Sequence, residues 1–160
     1  MPYITVFLFG ILAATFALIV ELLLPGWHLA DLMISGTLDF TVLVALLGVA
    51  LIEEGFKYIF LRQYALRFLP EKKVLIRDAL LLGVSFGIGF SAIEMLLIQS
   101  EMSALYGFAP LGTAGIHITT SVLFAVALCS PLRKHFLSSF ALAAAVIFHT
   151  LYNMIVLTIL

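Results

Sequence analysis

Five apolar runs, at approximately 3–24, 38–67, 76–98, 111–129 and 136–160, fill almost the whole chain. A hydrocarbon core about 30 Å thick is crossed by about 20 helical residues, so each run is long enough to span it. The breaks between runs are short and rich in turn residues: LPGW at 24–27, LPEKK at 69–73, YGFAPLG at 106–112 and SPLRK at 130–134. Composition agrees, because 64% of the 160 residues are hydrophobic and 11% charged, against about 45–50% and 25% in soluble domains. The expectation is an integral membrane protein of all-α class: a polytopic bundle of about five transmembrane helices forming one domain over residues 1–160. The first run has neither a basic leader nor a small-residue cleavage site after it, so it reads as a retained helix.

Charge placement predicts orientation. Arg62, Arg67, Lys72, Lys73 and Arg77 gather around the second loop, and Arg133 and Lys134 mark the fourth, while the first and third loops have no Lys or Arg. The positive-inside rule then puts the N-terminus in the cytoplasm and the C-terminus outside. Glu21, Asp31 and Asp39 fall at the outer boundary and read as solvated, with Trp27 and His28 as interface anchors. A net charge of −1 without a clustered basic face argues against a nucleic-acid partner. The single Cys129 has no partner for an intramolecular disulfide.

Against this apolar background a few polar residues stand inside the runs: Glu53, Glu54 and Lys57 in the second, Glu94 in the third, His117 in the fourth, His149 and Asn153 in the fifth. Each charge costs about 2.5–3.5 kcal/mol near a helix centre, so such residues mark function or pair with one another. Taken singly, a buried Glu or His on a membrane helix is more often a helix–helix hydrogen-bonding residue than a ligand. Depth argues for something shared. At about 1.5 Å per residue, Glu94 lies roughly 21 Å from a cytoplasmic boundary near Leu80, and His149 roughly 20 Å from Phe136. His117, entering from the other side, lies roughly 9 Å below Leu111. In a core of about 30 Å these three fall in one layer, nearer the outer surface.

Spacing supports the same grouping. Lys57 is i+4 from Glu53 and i+3 from Glu54, so it can pair with either carboxylate. Adjacent Glu53 and Glu54 diverge by about 100° around the axis, so only one is expected to face the centre of a site. His149 and Asn153 are one turn apart on one face. Gly83 and Gly87 form a small-residue ridge that permits close helix approach below Glu94.

Glu-Glu-x-x-Lys at 53–57, Phe-x-x-x-Glu at 90–94 within GIGFSAIE, a membrane His at 117 and His-x-x-x-Asn at 149–153 resemble, in order, the motifs of the PrsW family of intramembrane proteases. That family is related to the type II CAAX prenyl endopeptidases, which typically carry Glu-Glu-x-x-x-Arg and Phe-x-x-x-His. Lys57 and Glu94 favour the PrsW branch. The resemblance covers residues 53–153 and implies a protease of membrane-anchored proteins, with anti-sigma-factor-like substrates and a place in the cell membrane of a prokaryote.

Peptide hydrolysis needs an activated water, a proton for the leaving amine and stabilisation of the oxyanion. The expected catalytic set is Glu53, Glu54, Glu94, His117, His149 and Asn153, with Glu53 as general base and Lys57 in a structural ion pair. His117, His149 and Glu94 have the donor chemistry to hold zinc with a fourth position open for water. In a metal-free version Glu53 and one histidine hold the water, while His149 and Asn153 meet the oxyanion. The sequence leaves both versions open, and no HExxH pair decides between them. A proton- or divalent-ion-coupled transporter is the competing function, since intramembrane Glu and His chains also serve ion pathways. Two matched halves with interrupted helices, the mark of many transporters, are not evident. A catalytically silent scaffold that holds a transmembrane partner is a third reading.

Overall fold

The computed structural model describes residues 2–24, 40–69, 74–101, 109–129 and 135–159. They form five helices: α1 (Pro2–Leu23), α2 (Phe40–Phe68), α3 (Ile76–Glu101), α4 (Ala109–Cys129) and α5 (His135–Ile159). No strand occurs among the described residues. Trp27, His28, Asp31, Asp39, Lys72, Lys73, Arg133 and Lys134 lie outside them.

The chain is thus an all-α polytopic bundle, as its apolar runs predict. Four helices are long and apolar enough to cross a bilayer: α1, α3, α4 and α5. With 29 residues α2 has the length as well, but it carries Glu53, Glu54 and Lys57 at its middle. Five helices thus stand where five apolar runs were expected, four of them apolar enough to cross on composition alone. These three central charged side chains are buried among the other helices.

The helix ends have local causes. At the start of α3 the backbone N–H groups of Asp78 and Ala79 both donate to the Leu75 carbonyl, each at 3.0 Å. Asp78 also puts a carboxylate in the first turn, where it complements the helix dipole. Arg67 does the same with opposite sign in the last turn of α2.

Packing runs α1–α2–α5–α4–α3 and back to α1, with α2 also touching α4 across the middle. Small residues set the closest approaches, as expected where helices gain no hydrophobic advantage over lipid. A Cβ at Gly83 would lie 2.5 Å from Val122 Cα, and one at Gly87 would lie 2.5 Å from Ile118 Cα. The glycine ridge of α3 therefore seats on the helix that carries His117. Aromatic rings fasten α1 to α2: Phe9 meets Tyr64 and Phe16 meets Phe60, both with centroids 5.6 Å apart. The core between them includes Val6, Ala13, Ala17, Phe86, Phe90 and Phe124. Large apolar side chains such as Ile4, Leu12, Ile88, Phe140 and Ile155 face outward, where lipid would cover them.

Candidate active site

The motif residues converge from four helices. From α2 come Glu53, Glu54 and Lys57; from α3, Glu94; from α4, His117 with Thr120; from α5, His149. Glu54, Lys57 and His117 have no exposed surface, Glu53 and His149 almost none, and Glu94 is half-buried.

Glu54 is the anchored carboxylate. Its Oε1 accepts from Lys57 Nζ at 2.6 Å, from His149 Nδ1 at 2.7 Å and from the Thr120 hydroxyl at 3.3 Å. Lys57 Nζ also donates to Thr120 Oγ1 at 3.2 Å, touches His117 Nδ1 and lies 4.5 Å from the centroid of Phe90. A buried charge pair of this kind holds only when further hydrogen bonds replace the lost water, and Thr120 and the two histidines do so here.

Glu53 is placed differently. Its Oε2 is buried without a hydrogen-bond partner, with His149 Nε2 at 3.5 Å as its nearest ion-pair contact. An unsatisfied buried acceptor costs about 1–3 kcal/mol, more when charged, so this oxygen is poised for a ligand rather than for packing. The sequence left open which of the adjacent carboxylates faces the site. Both are buried and each has an Oε2 without a hydrogen-bond partner, but Glu54 is committed through Oε1 to Lys57, Thr120 and His149, whereas Glu53 Oε2 lies beside His149 Nε2 and is available.

Hydrogen-bond logic fixes the histidine rings. His149 donates Nδ1–H to the Glu54 carboxylate, so in the neutral ring Nε2 carries the lone pair. An ammonium can only donate, so Nδ1 of His117 accepts from Lys57 and the ring proton sits on Nε2, directed at Glu94 Oε2. The two rings stand edge to face with centroids 5.0 Å apart.

Could these residues hold a metal? One ligand atom each from Glu53, His117 and His149 lie within 4.8 Å of one another. Two nitrogens and a carboxylate oxygen are a zinc-type donor set. The orphaned Glu53 oxygen and the Glu54-backed His149 fit that chemistry, because a ligating histidine usually donates its other N–H to a carboxylate. His117 can join through Nε2 as the Nδ1–H tautomer, which requires Lys57 to meet Nδ1 as a neutral amine. Glu94, expected with the two histidines, meets His117 Nε2 directly and is not among the three grouped ligand residues.

Two further placements bear on the site. Asn153 is half-buried one turn beyond His149 and makes no hydrogen bond among the described residues. Glu21, read as a solvated boundary residue, instead lines a cavity with Glu53 and Glu94, and its Oε1 is buried without a partner. A signal for it did exist in the sequence. Ala14, Ala17 and Glu21 follow one another at spacings of three and four, so they share one face of α1, and small residues mark a packed face. Thr120, also missed, lies three residues beyond His117 on the same face.

A family model described as PrsW family intramembrane metalloprotease matches residues 2–160. No curated protein matches the chain, and no solved structure does.

Proposed function

Since the chain belongs to the PrsW family of intramembrane metalloproteases, we propose that it hydrolyses peptide bonds of membrane-anchored proteins at the Glu and His cluster. The observation that carries this reading is the available Glu53 oxygen facing two buried histidines on other helices.

In this reading Glu53, His117 and His149 hold a zinc ion. Bound there, it would supply Lewis-acid activation of the attacking water and of the scissile carbonyl. The chain's own groups do the rest. Glu94, half-buried, takes a proton from the attacking water and returns it to the leaving amine, so that amine and carboxylic acid products balance. Glu54 holds the His149 ring so that Nε2 faces the site, and Lys57 holds Glu54. The Asn153 amide, free of other hydrogen bonds among the described residues, donates to the developing oxyanion. A second reading exchanges the carboxylates, with Glu94 as ligand and Glu53 as base. It is favoured by the contact between Glu94 Oε2 and His117 Nε2.

The substrates in this proposal are single-span, anti-sigma-factor-like proteins cut at or beyond their extracytoplasmic juxtamembrane region. It has the N-terminus in the cytoplasm and the C-terminus outside, in the cell membrane of a prokaryote. Arg62, Arg67 and Arg77, at the facing ends of α2 and α3, support that orientation.

The test is metal content of detergent-purified protein by mass spectrometry, wild type against a His117→Ala, His149→Ala double variant. Near-stoichiometric zinc that disappears in the double variant is expected. A cleavage-competent wild type without metal would overturn the metal assignment. Glu53→Gln against Glu94→Gln separates the two carboxylate readings, because only the ligand variant loses metal.

A further inference from the structure

Hydrolysis consumes one water per bond cut, yet the site is walled by Phe90 and by helices whose outer faces are apolar. A polar way in exists along α1. Ala14, Ala17 and Glu21 form one wall of a cavity of about 30 Å³, and Glu53, Ile93 and Glu94 form the other. A single water needs about 10–15 Å³ of such space and two to four polar partners. The carboxylates supply them: Glu21 Oε1 and Glu53 Oε2 are both buried without a hydrogen-bond partner, and the Glu53 side chain is only 8% exposed. Glu21 stands two residues before the end of α1, about 3 Å along the axis, and is half-buried. One edge of it therefore reaches the outside of the bundle while the other meets the cavity.

We propose that this crevice between α1, α2 and α3 is the water entry of the site, and that Glu21 is the positioning residue that keeps it wet. The proposal rests on the hydrolytic reading above, but its test does not require proteolysis. A glutamate at the mouth holds water by accepting hydrogen bonds on both sides of the crevice. The alanines behind it leave the necessary volume, while Glu53 and Glu94 receive the water at the inner end.

The experiment is cysteine labelling in lipid nanodiscs, where both membrane faces are open, with the single cysteine Cys129 replaced by serine. Leu18 lines the crevice, whereas its neighbour Ile19 is 47% exposed on the outer surface of the bundle, about 1.5 Å away in depth. With a charged methanethiosulfonate reagent, Leu18→Cys should react at least tenfold faster than Ile19→Cys. Adding Glu21→Leu should bring Leu18→Cys down to the Ile19→Cys rate, and adding Glu21→Gln, which keeps a polar group of the same length, should not. Equal rates for Leu18→Cys and Ile19→Cys would overturn the crevice without recourse to any Glu21 variant. An unchanged Leu18→Cys rate in Glu21→Leu would overturn the role of Glu21. If labelling behaves as expected while no metal binds, the crevice stands and the metalloprotease assignment fails.

Discussion

His149 Nδ1 lies 2.7 Å from Glu54 Oε1, the same oxygen that receives Lys57 Nζ at 2.6 Å. One carboxylate oxygen thus joins the helix that brings the lysine to the helix that brings the histidine. Removing the charge of Glu54 would leave Lys57 buried without compensation, at a cost of about 3–5 kcal/mol. Glu54→Gln should therefore lower the thermal unfolding midpoint in detergent markedly, and adding Lys57→Met should restore most of it. A single variant as stable as wild type would show that this pair does not hold the bundle.

The same oxygen orients a proposed ligand. Losing such an outer partner typically weakens metal binding by about 10–100-fold. Glu54→Gln can still accept from His149, whereas Glu54→Ala cannot. Chelator competition should rank zinc affinity as wild type, then Glu54→Gln, then Glu54→Ala; equal affinities in all three would remove Glu54 from any metal-supporting role.

Glycine substitutions offer a test with an internal control. At Gly87 a new methyl group would press on the backbone of α4, and overpacking costs about 1–3 kcal/mol. At Gly55 nothing lies within 4 Å, and replacing a helical glycine by alanine gains about 0.5–1 kcal/mol. Gly87→Ala should thus lower the unfolding midpoint and Gly55→Ala raise it. Gly87→Ala should also separate Glu94 from His117 and reduce cleavage of a single-span reporter.

Asn153→Ala should leave metal content intact and lower the turnover of that reporter by about 10²–10³-fold, the usual cost of losing an oxyanion donor. His149→Ala should lose both metal and turnover. An Asn153→Ala protein with full turnover would leave Asn153 as a packing residue.

Much of the fold could be read from the sequence because lipid imposes simple rules. The run at 111–129 appears as Ala109–Cys129, and the run at 76–98 as Ile76–Glu101. The three residues that counting from the membrane boundary puts in one layer, Glu94, His117 and His149, do lie together, and Glu53 and Glu54 meet them there. Helical rise alone gives that result, since it needs depth and not neighbour order. The division of labour between Glu53 and Glu54 was beyond it, because 100° of rotation separates two faces but does not say which neighbour occupies each. Glu21 escaped for a related reason. A carboxylate near a helix end is equally at home in water or at the mouth of a crevice, and only the alanines one and two turns earlier betray which surface it shares.

Because no single helix carries a complete donor set, the cluster exists only in the assembled bundle. α5 follows α1 through α4 in the chain, and it alone brings His149. With His149 as the proposed ligand, the emerging protein lacks one part of its proposed site until the fifth helix docks. Such an order of assembly would keep a protease aimed at membrane segments from meeting its own unfinished helices, or those of its neighbours at the site of insertion, in a cutting state.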